Sequence, residues 1–266
     1  MKKISYLSEC LKKDRLIRWA DNCMPLTVYI ATFRWYKSAH ESYTYNQMII
    51  DALELWSKAS EGALSFRIVQ NLNQSQINIE WKRVERSALG KCQYSFDTLG
   101  RLYSAEITIG LSDGLIHAQY QDKNEVFHTI LHEIGHALGL DHSPNIDDIM
   151  FVPHQYGVIK LSEKDKKTLK WLYHFPYGYS SQEIISRYKL QGVSDLDKLI
   201  YRLEINNLEE APQPVNQNNS NDALRNEQKI LADLNKYNLS LQNISLSPEL
   251  QDFVRRTKIE QDKKSN

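Results

Sequence analysis

The fold of this 266-residue chain is decided by the stretch His132-Glu133-Ile134-Gly135-His136-Ala137-Leu138-Gly139-Leu140-Asp141-His142. On an α-helix, residues four positions apart lie about 40° apart around the axis, so His132 and His136 would point the same way. Two neutral imidazoles in that arrangement can reach one zinc ion at roughly 2.0–2.1 Å. Glu133, about 100° further round the helix, would stand beside the metal rather than bind it. The spacing H-E-x-x-H therefore predicts a zinc site with a carboxylate next to it.

Gly139 and His142 extend this pattern to H-E-x-x-H-x-x-G-x-x-H. Glycine tolerates a positive φ, so the helix can end at Gly139 and the chain can turn back to offer His142 as a third ligand. Three protein ligands leave the fourth position to water, which is the arrangement of a catalytic zinc rather than a structural one. The alternative is a chance H-E-x-x-H in an ordinary helix, and that alternative does not account for Gly139 or His142.

Apolar residues upstream of the motif predict that one face of this helix packs on the core. They recur at the spacing i, i+3, i+4, i+7, i+11, and they are Phe127, Ile130, Leu131, Ile134 and Leu138. The two histidines fall beside that stripe. His128, one turn before His132, is interpreted as a partner or surface group rather than a further ligand. His117, His154 and His174 have no ligand spacing.

Met150 lies eight residues after His142, within Ile149-Met150-Phe151-Val152-Pro153. With these residues and Ser143, the chain resembles the metzincins and, within them, the matrixin family. Matrixin catalytic domains carry H-E-x-G-H-x-L-G-L-x-H-S followed by a methionine turn. The resemblance runs from about Pro25 to Tyr173. The family's turn ends Met-Tyr-Pro where this chain reads Met-Phe-Val-Pro, a departure that bears on the specificity pocket and not on the metal.

The resemblance implies a role for each matching residue at the metal. His132, His136 and His142 would bind one Zn²⁺, with water as the fourth ligand. Glu133 would act as the general base. Met150 would form the hydrophobic floor beneath the metal without binding it, as suits a flexible thioether.

Further roles implied by the resemblance lie after the methionine turn. Asp165 would hydrogen-bond to the region of that turn, and Pro153 and Tyr156 would line the S1′ pocket. Lys164 stands where matrixins have an aspartate that receives a freed N-terminal ammonium, so activation through that ion pair is not expected. The calcium loops and the H-x-D structural zinc site of vertebrate members are absent from the sequence, so one catalytic zinc is predicted and calcium is not.

The fold expected is α+β (α/β) and metzincin- or zincin-like. It has a five-stranded twisted mixed sheet, an active-site helix and a C-terminal helix, with a helical C-terminal extension. Alternating residues predict strands at 24–30, 64–69, 77–81, 89–96 and 104–109. Helical spacing predicts a helix over 45–59, and Ser162 with Asp165 predicts the capped start of the last helix of the domain. The strand 89–96 could be an edge strand that receives substrate or an ordinary interior strand.

We expect five segments along the chain. They are an N-terminal segment (1–24), the catalytic domain (25–175), a small helical appendage (176–208), a polar linker (209–222), and a C-terminal helix with a charged tail (223–266). Leucines in the last segment recur at near-heptad spacing, but the seam is too short for a coiled coil. A lone helix that contacts a partner or is weakly ordered fits better.

Charge and composition limit the kinds of partner and compartment that the sequence favours. Lys+Arg and Asp+Glu are both 33, so no charge bias favours nucleic acid. No apolar run reaches the ~18 residues of a membrane helix. No signal-peptide core follows Met1, so the chain as written is expected in the cytoplasm, with non-Sec export left open. Three cysteines form no disulfide framework, and Cys23 lacks the sequence context of a latency switch.

The predicted function is zinc-dependent hydrolysis of peptide bonds in protein or peptide substrates. Two alternatives remain at this stage. One is an effector or toxin protease with a narrow substrate range. The other is a zinc-binding interaction module that has lost proteolysis, which the presence of Glu133 disfavours.

Overall fold

The computed structural model describes residues 3–33, 39–83, 89–111 and 122–206. These residues belong to one compact unit, Met1–Pro212. The predicted linker (209–222) and C-terminal helix (223–266) lie outside the described residues, as does His117.

The central feature is a five-stranded mixed sheet, preceded by a short hairpin. The strands are β1 (Leu11–Lys12), β2 (Arg15–Leu16), β3 (Leu26–Ile30), β4 (Phe66–Val69), β5 (Ile77–Arg83), β6 (Gly90–Phe96) and β7 (Leu102–Leu111). The sheet has the order β4-β3-β5-β7-β6. All neighbours are parallel except β6 and β7, which are antiparallel. The predicted mixed sheet is confirmed, and among the described strands β6 lies at the edge of the sheet rather than in its interior.

Alternation along the inner strands places apolar side chains in the core. In β5, Ile77, Ile79 and Trp81 are buried, while Asn78 is hydrogen-bonded at the exposed face to Glu106. This period of two is what a sheet with one covered face requires. The covered face packs against the helices that carry the site.

Five α-helices complete the described fold: α1 (Ala39–Ala59), α2 (Lys123–Ala137), α3 (Glu163–His174), α4 (Ser181–Tyr188) and α5 (Leu196–Asn206). α1 begins before the predicted Tyr45. Its buried Trp56 donates from Nε1 to the carbonyl of Leu131 at 3.0 Å, which fastens α1 to α2. The predicted cap of α3 is confirmed, since Ser162 and Asp165 form a reciprocal capping box.

The N-terminal segment is an integral part of the core. Tyr6, Leu7, Cys10, Leu16 and Trp19 are buried. β1 and β2 form a hairpin whose two turn residues have positive φ, the backbone twist that two-residue hairpin loops prefer. The sequence did not indicate this hairpin, because each strand has only two residues and the turn reads as a charged loop.

The helical appendage packs on the same hydrophobic core. Ile184 of α4 and Leu199 and Ile200 of α5 are buried there. Ser5 donates from its hydroxyl to Asp197 of α5 at 2.7 Å, which ties the appendage to the N-terminal segment. Among the described helices, none combines the length and apolarity needed to cross a membrane.

Candidate metal centre and active site

Helix α2 carries the first two predicted ligands. Asp122 caps its start by accepting from the Asn124 N–H at 2.8 Å. Ile130 and Ile134 are fully buried on the face that packs on the sheet and α1. His132 and His136 lie beside that face, one turn apart. Packing of the apolar face therefore sets the position of α2, and the helix sets the relative positions of the His132 and His136 imidazoles.

Gly139 ends α2 in the way the sequence predicts. Its φ is +98°, and the Gly139 N–H donates to the carbonyl of His136 at 3.0 Å while the Leu140 N–H donates to that of Gly135 at 3.1 Å. These two bonds form a Schellman motif. A Cβ at Gly139 would lie 2.2 Å from the carbonyl oxygen of Ile17. Glycine is required both by the backbone conformation and by the close approach of the N-terminal segment.

The three predicted histidines converge on one point. The Nε2 atom of His136 lies 3.1 Å from Nε2 of His132 and 3.1 Å from Nε2 of His142. One ligand atom from each of the three lies within 4.8 Å of the others. Two nitrogens bound tetrahedrally at the usual zinc distance would be about 3.3 Å apart. The spacing therefore fits a single zinc ion between them.

Hydrogen bonds on the opposite side of the rings support the same conclusion. Nδ1 of His132 lies 2.8 Å from the carbonyl oxygen of Ile149, and Nδ1 of His136 lies 2.9 Å from that of Leu140. A carbonyl can only accept, so each Nδ1 carries the proton and each Nε2 presents a lone pair. Two lone pairs facing each other at 3.1 Å repel unless a cation lies between them. The donor set therefore fits a metal ion.

Burial sets the protonation of the site. Desolvation lowers the pKa of His132 to about 3 and that of His136 to about 4, so both stay neutral at neutral pH, the form that binds metal. Desolvation raises the pKa of Glu133, which is 6% exposed, to about 7. A Cβ at Gly90 would lie 2.6 Å from Oε1 of Glu133. The start of edge strand β6 thus lies directly beside the predicted general base.

Met150 lies directly against α2, at the turn that follows the third histidine. It is fully buried, and its carbonyl accepts from the Ser143 N–H at 2.9 Å. A Cβ at Gly135 would lie 2.4 Å from the Met150 sulfur and 3.1 Å from Trp56. The glycine between the first two histidines therefore makes room for the methionine. The sequence signal for this role was a glycine inside a helix, which otherwise costs about 1 kcal/mol relative to alanine.

Replacing Gly135 by alanine should destabilise the protein by about 1–3 kcal/mol, although alanine in an exposed helix would stabilise it. The added methyl group overpacks the contact with Met150 and Trp56. Denaturant unfolding of the metal-depleted protein measures this change. A gain in the free energy of unfolding would contradict the packing assigned to Gly135.

Asp165 connects α3 to the methionine turn. It is fully buried, and its Oδ2 accepts from the Ile149 N–H at 2.9 Å and from the Ser162 N–H at 2.8 Å. Its Oδ1 accepts from the hydroxyl of Tyr6 at 2.8 Å. The carboxylate therefore joins the residue before Met150, the start of α3 and the N-terminal segment.

Pro153 and Tyr156 lie in the loop after the methionine turn. Both are exposed, and the Tyr156 hydroxyl donates to Asp122 at 3.3 Å. Their predicted place at a substrate pocket stays a prediction. A residue that the sequence did not single out holds this loop. Glu125, buried in the first turn of α2, pairs with His154 and accepts from the Gly157 N–H at 3.1 Å.

His128 contacts the same loop and lies outside the three-histidine group found among the described residues. Its side chain is 1% exposed, and its Nδ1 lies 2.6 Å from the carbonyl oxygen of Val158. Its ring is 3.9 Å from that of His154, centroid to centroid. His128 is thus a buried partner of the loop, as the sequence interpretation allowed.

An α-helix with two imidazoles one turn apart, a glutamate between them, a third histidine after a glycine turn and a buried methionine turn is the arrangement that defines the metzincin class. The chain belongs to the matrixin family: the family profile matches residues 18–174, more than half of its length.

Three proteins named as matrix metalloproteinases or as karilysin are similar to this chain in sequence. A putative matrix metalloproteinase of Heliothis virescens ascovirus 3e is 30% identical over 163 residues, covering 51% of this chain and 33% of the relative. Karilysin of Tannerella forsythia is 28% identical over 171 residues, covering 55% and 34%. Probable matrix metalloproteinase 095L of Invertebrate iridescent virus 3 is 28% identical over 155 residues, covering 54% and 41%. The chain thus spans about a third of the length of the first two relatives.

Proposed function

We propose that this protein is a zinc-dependent endopeptidase. The observation that carries the proposal is the pair of Nε2 lone pairs of His132 and His136, which face each other at 3.1 Å with His142 at the same distance from His136. Glu133 lies on the same helix, buried and beside the sheet edge. Zinc would be held by these three imidazoles, with the fourth position left to water.

The roles of the side chains follow from their positions. Zinc, when bound, supplies a Lewis acid that polarises the peptide carbonyl and lowers the pKa of water. Glu133 accepts the proton of the attacking water and returns it to the departing amine. The carbonyls of Ile149 and Leu140 keep His132 and His136 in the tautomer that binds metal. Met150, buried against Gly135 of α2, would form the apolar floor beneath the metal.

Strand β6 offers a backbone surface for an extended peptide. It pairs with β7 on one side and forms the edge of the sheet on the other. β6 begins at Gly90, beside Glu133, and runs away from it to Phe96. A peptide paired antiparallel to β6 would place the residues that precede its cleaved bond along Cys92 to Phe96.

Cleavage of unstructured peptides tests the proposal. We expect the zinc-loaded chain to cleave a mixed peptide library at internal bonds, as mapped by mass spectrometry of the new ends. Removal of zinc by a chelator should abolish cleavage, and one equivalent of zinc should restore it. A zinc-binding chain that cleaves no peptide would support the non-proteolytic alternative instead.

A further inference from the structure

The third ligand is held differently from the first two. Within the described part of the chain, Nδ1 of His142 makes no hydrogen bond, whereas Nδ1 of His132 and of His136 each donate to a carbonyl. A metal-binding histidine usually has such a partner, which orients its ring. His142 also lies on a loop rather than on α2. Its position therefore depends on what fixes its backbone.

Asp141 fixes that backbone. Its Oδ1 accepts from the His142 N–H at 2.8 Å, and its Oδ2 pairs with the ammonium of Lys12. The N–H of Asp141 donates to the sulfur of Cys10 at 3.4 Å. The side chains of Lys12 and Asp141 are 34% and 24% exposed, so solvent screens their ion pair only in part.

Lys12 lies on the N-terminal hairpin, which is hydrogen-bonded to the segment after α3. It lies on β1, which pairs with β2 through Lys12 and Arg15. The buried Leu16 of β2 donates its N–H to the Tyr179 carbonyl at 2.9 Å and accepts from the Gly178 N–H at 2.8 Å. The hairpin is therefore hydrogen-bonded to the segment after α3, and these bonds hold the strand from which Lys12 reaches Asp141.

We propose that Lys12 is a positioning residue of the metal centre, which acts through Asp141 to orient His142. This inference rests on the proposed zinc site. Lys12 lies before residue 18, where the family match begins, so the match itself assigns it no role. The rings of His132 and His136 are oriented by hydrogen bonds at Nδ1. His142 is instead oriented through its backbone, by Asp141 and the Lys12 of the hairpin.

Zinc affinity of the full chain tests this role. Loss of a group bonded directly to a metal ligand typically costs roughly 10–100-fold in affinity. Lys12 acts one contact further out, through Asp141, so we expect Lys12→Met to weaken zinc binding by about tenfold, the low end of that range. Competition with a chromogenic chelator measures the dissociation constant. Lys3→Met is the matched control, because Lys3 is an exposed lysine whose ion pair with Glu9, 3.5 Å apart, involves neither Asp141 nor His142. Lys12→Arg should restore most of the affinity.

Asp141→Asn distinguishes positioning from a general loss of stability. Asparagine keeps an oxygen for the His142 N–H but removes the charge that pairs with Lys12. If Lys12 acts through Asp141, Lys12→Met and Asp141→Asn together should weaken zinc binding hardly more than either alone. The thermal unfolding of the metal-free single variants should stay close to that of the parent.

The outcomes separate the two claims. A parent chain that binds no zinc at this site would overturn the proposed function itself. A parent that binds zinc, with Lys12→Met no weaker than Lys3→Met, would overturn the positioning role alone. Additive losses in the double variant would likewise show that Lys12 does not act through Asp141.

Discussion

Replacing Glu133 by alanine is expected to lower kcat/KM for peptide cleavage by roughly 10²–10⁴-fold, the usual contribution of a general base. The reason is local, because Glu133 lies on α2 between His132 and His136 in sequence, buried and next to Gly90. The metal ligands themselves are untouched. Zinc should therefore remain bound at one equivalent, which elemental analysis of the purified variant measures.

Glu54→Ala serves as the control for this loss. Glu54 is an exposed glutamate on α1 whose contact is an ion pair with Lys58. We expect that variant to cleave peptides at the parent rate. If Glu133→Ala retained parent activity with zinc bound, the assignment of the general base would be wrong. If Glu133→Ala lost its zinc, Glu133→Gln would repeat the test with the shape of the side chain preserved.

Gly139→Ala is expected to produce the largest loss of stability, about 4 kcal/mol or more. Two costs combine at this position. An alanine at φ +98° is strained, and its Cβ would lie 2.2 Å from the carbonyl oxygen of Ile17, a backbone atom that cannot move aside alone. The clash would displace either the end of α2 or the N-terminal segment. Because His142 follows this turn, zinc affinity should fall together with stability.

Gly62→Ala measures the backbone part of that cost by itself, so the steric part at Gly139 is obtained by difference. Gly62 has nearly the same φ, +95°, and a Cβ there would meet nothing within 4 Å. The left-handed backbone alone should cost about 1–2 kcal/mol at Gly62. Denaturant unfolding of both variants gives the difference due to the contact with Ile17. Equal losses would mean that the N-terminal segment does not restrict the turn at Gly139.

Local pattern was sufficient to predict the three histidines that converge and the elements that carry them. His132, Glu133 and His136 share one helix, so their geometry follows from helical periodicity alone. The helix end at Gly139 was predictable because glycine readily adopts the positive φ at which helices commonly end. The strands of the sheet were predictable for a similar reason, because alternation over five or more residues is a local signal.

Contacts between distant parts of the chain were not predictable from one sequence. Lys12 and Asp141 are separated by 129 positions, and the strand that presents Lys12 has only two residues. Glu125 has no sequence signal that sets it apart from other acidic residues in a first helical turn, yet it is buried and holds the loop after Met150. Neither pairing has a periodic signature, since each is set by the way remote segments pack.

The open edge of β6 also bears on how this protein behaves at high concentration. Unpaired backbone groups along an edge strand can pair with another copy as readily as with a peptide, and such edges are a common start of aggregation. Two features of β6 oppose this. Lys91 projects a charge from its exposed face, and the pairing register shifts between Ser95 and Phe96, which interrupts the straight edge. The strand that could receive substrate thereby carries a charge and ends in an irregular register, so self-association along it is disfavoured.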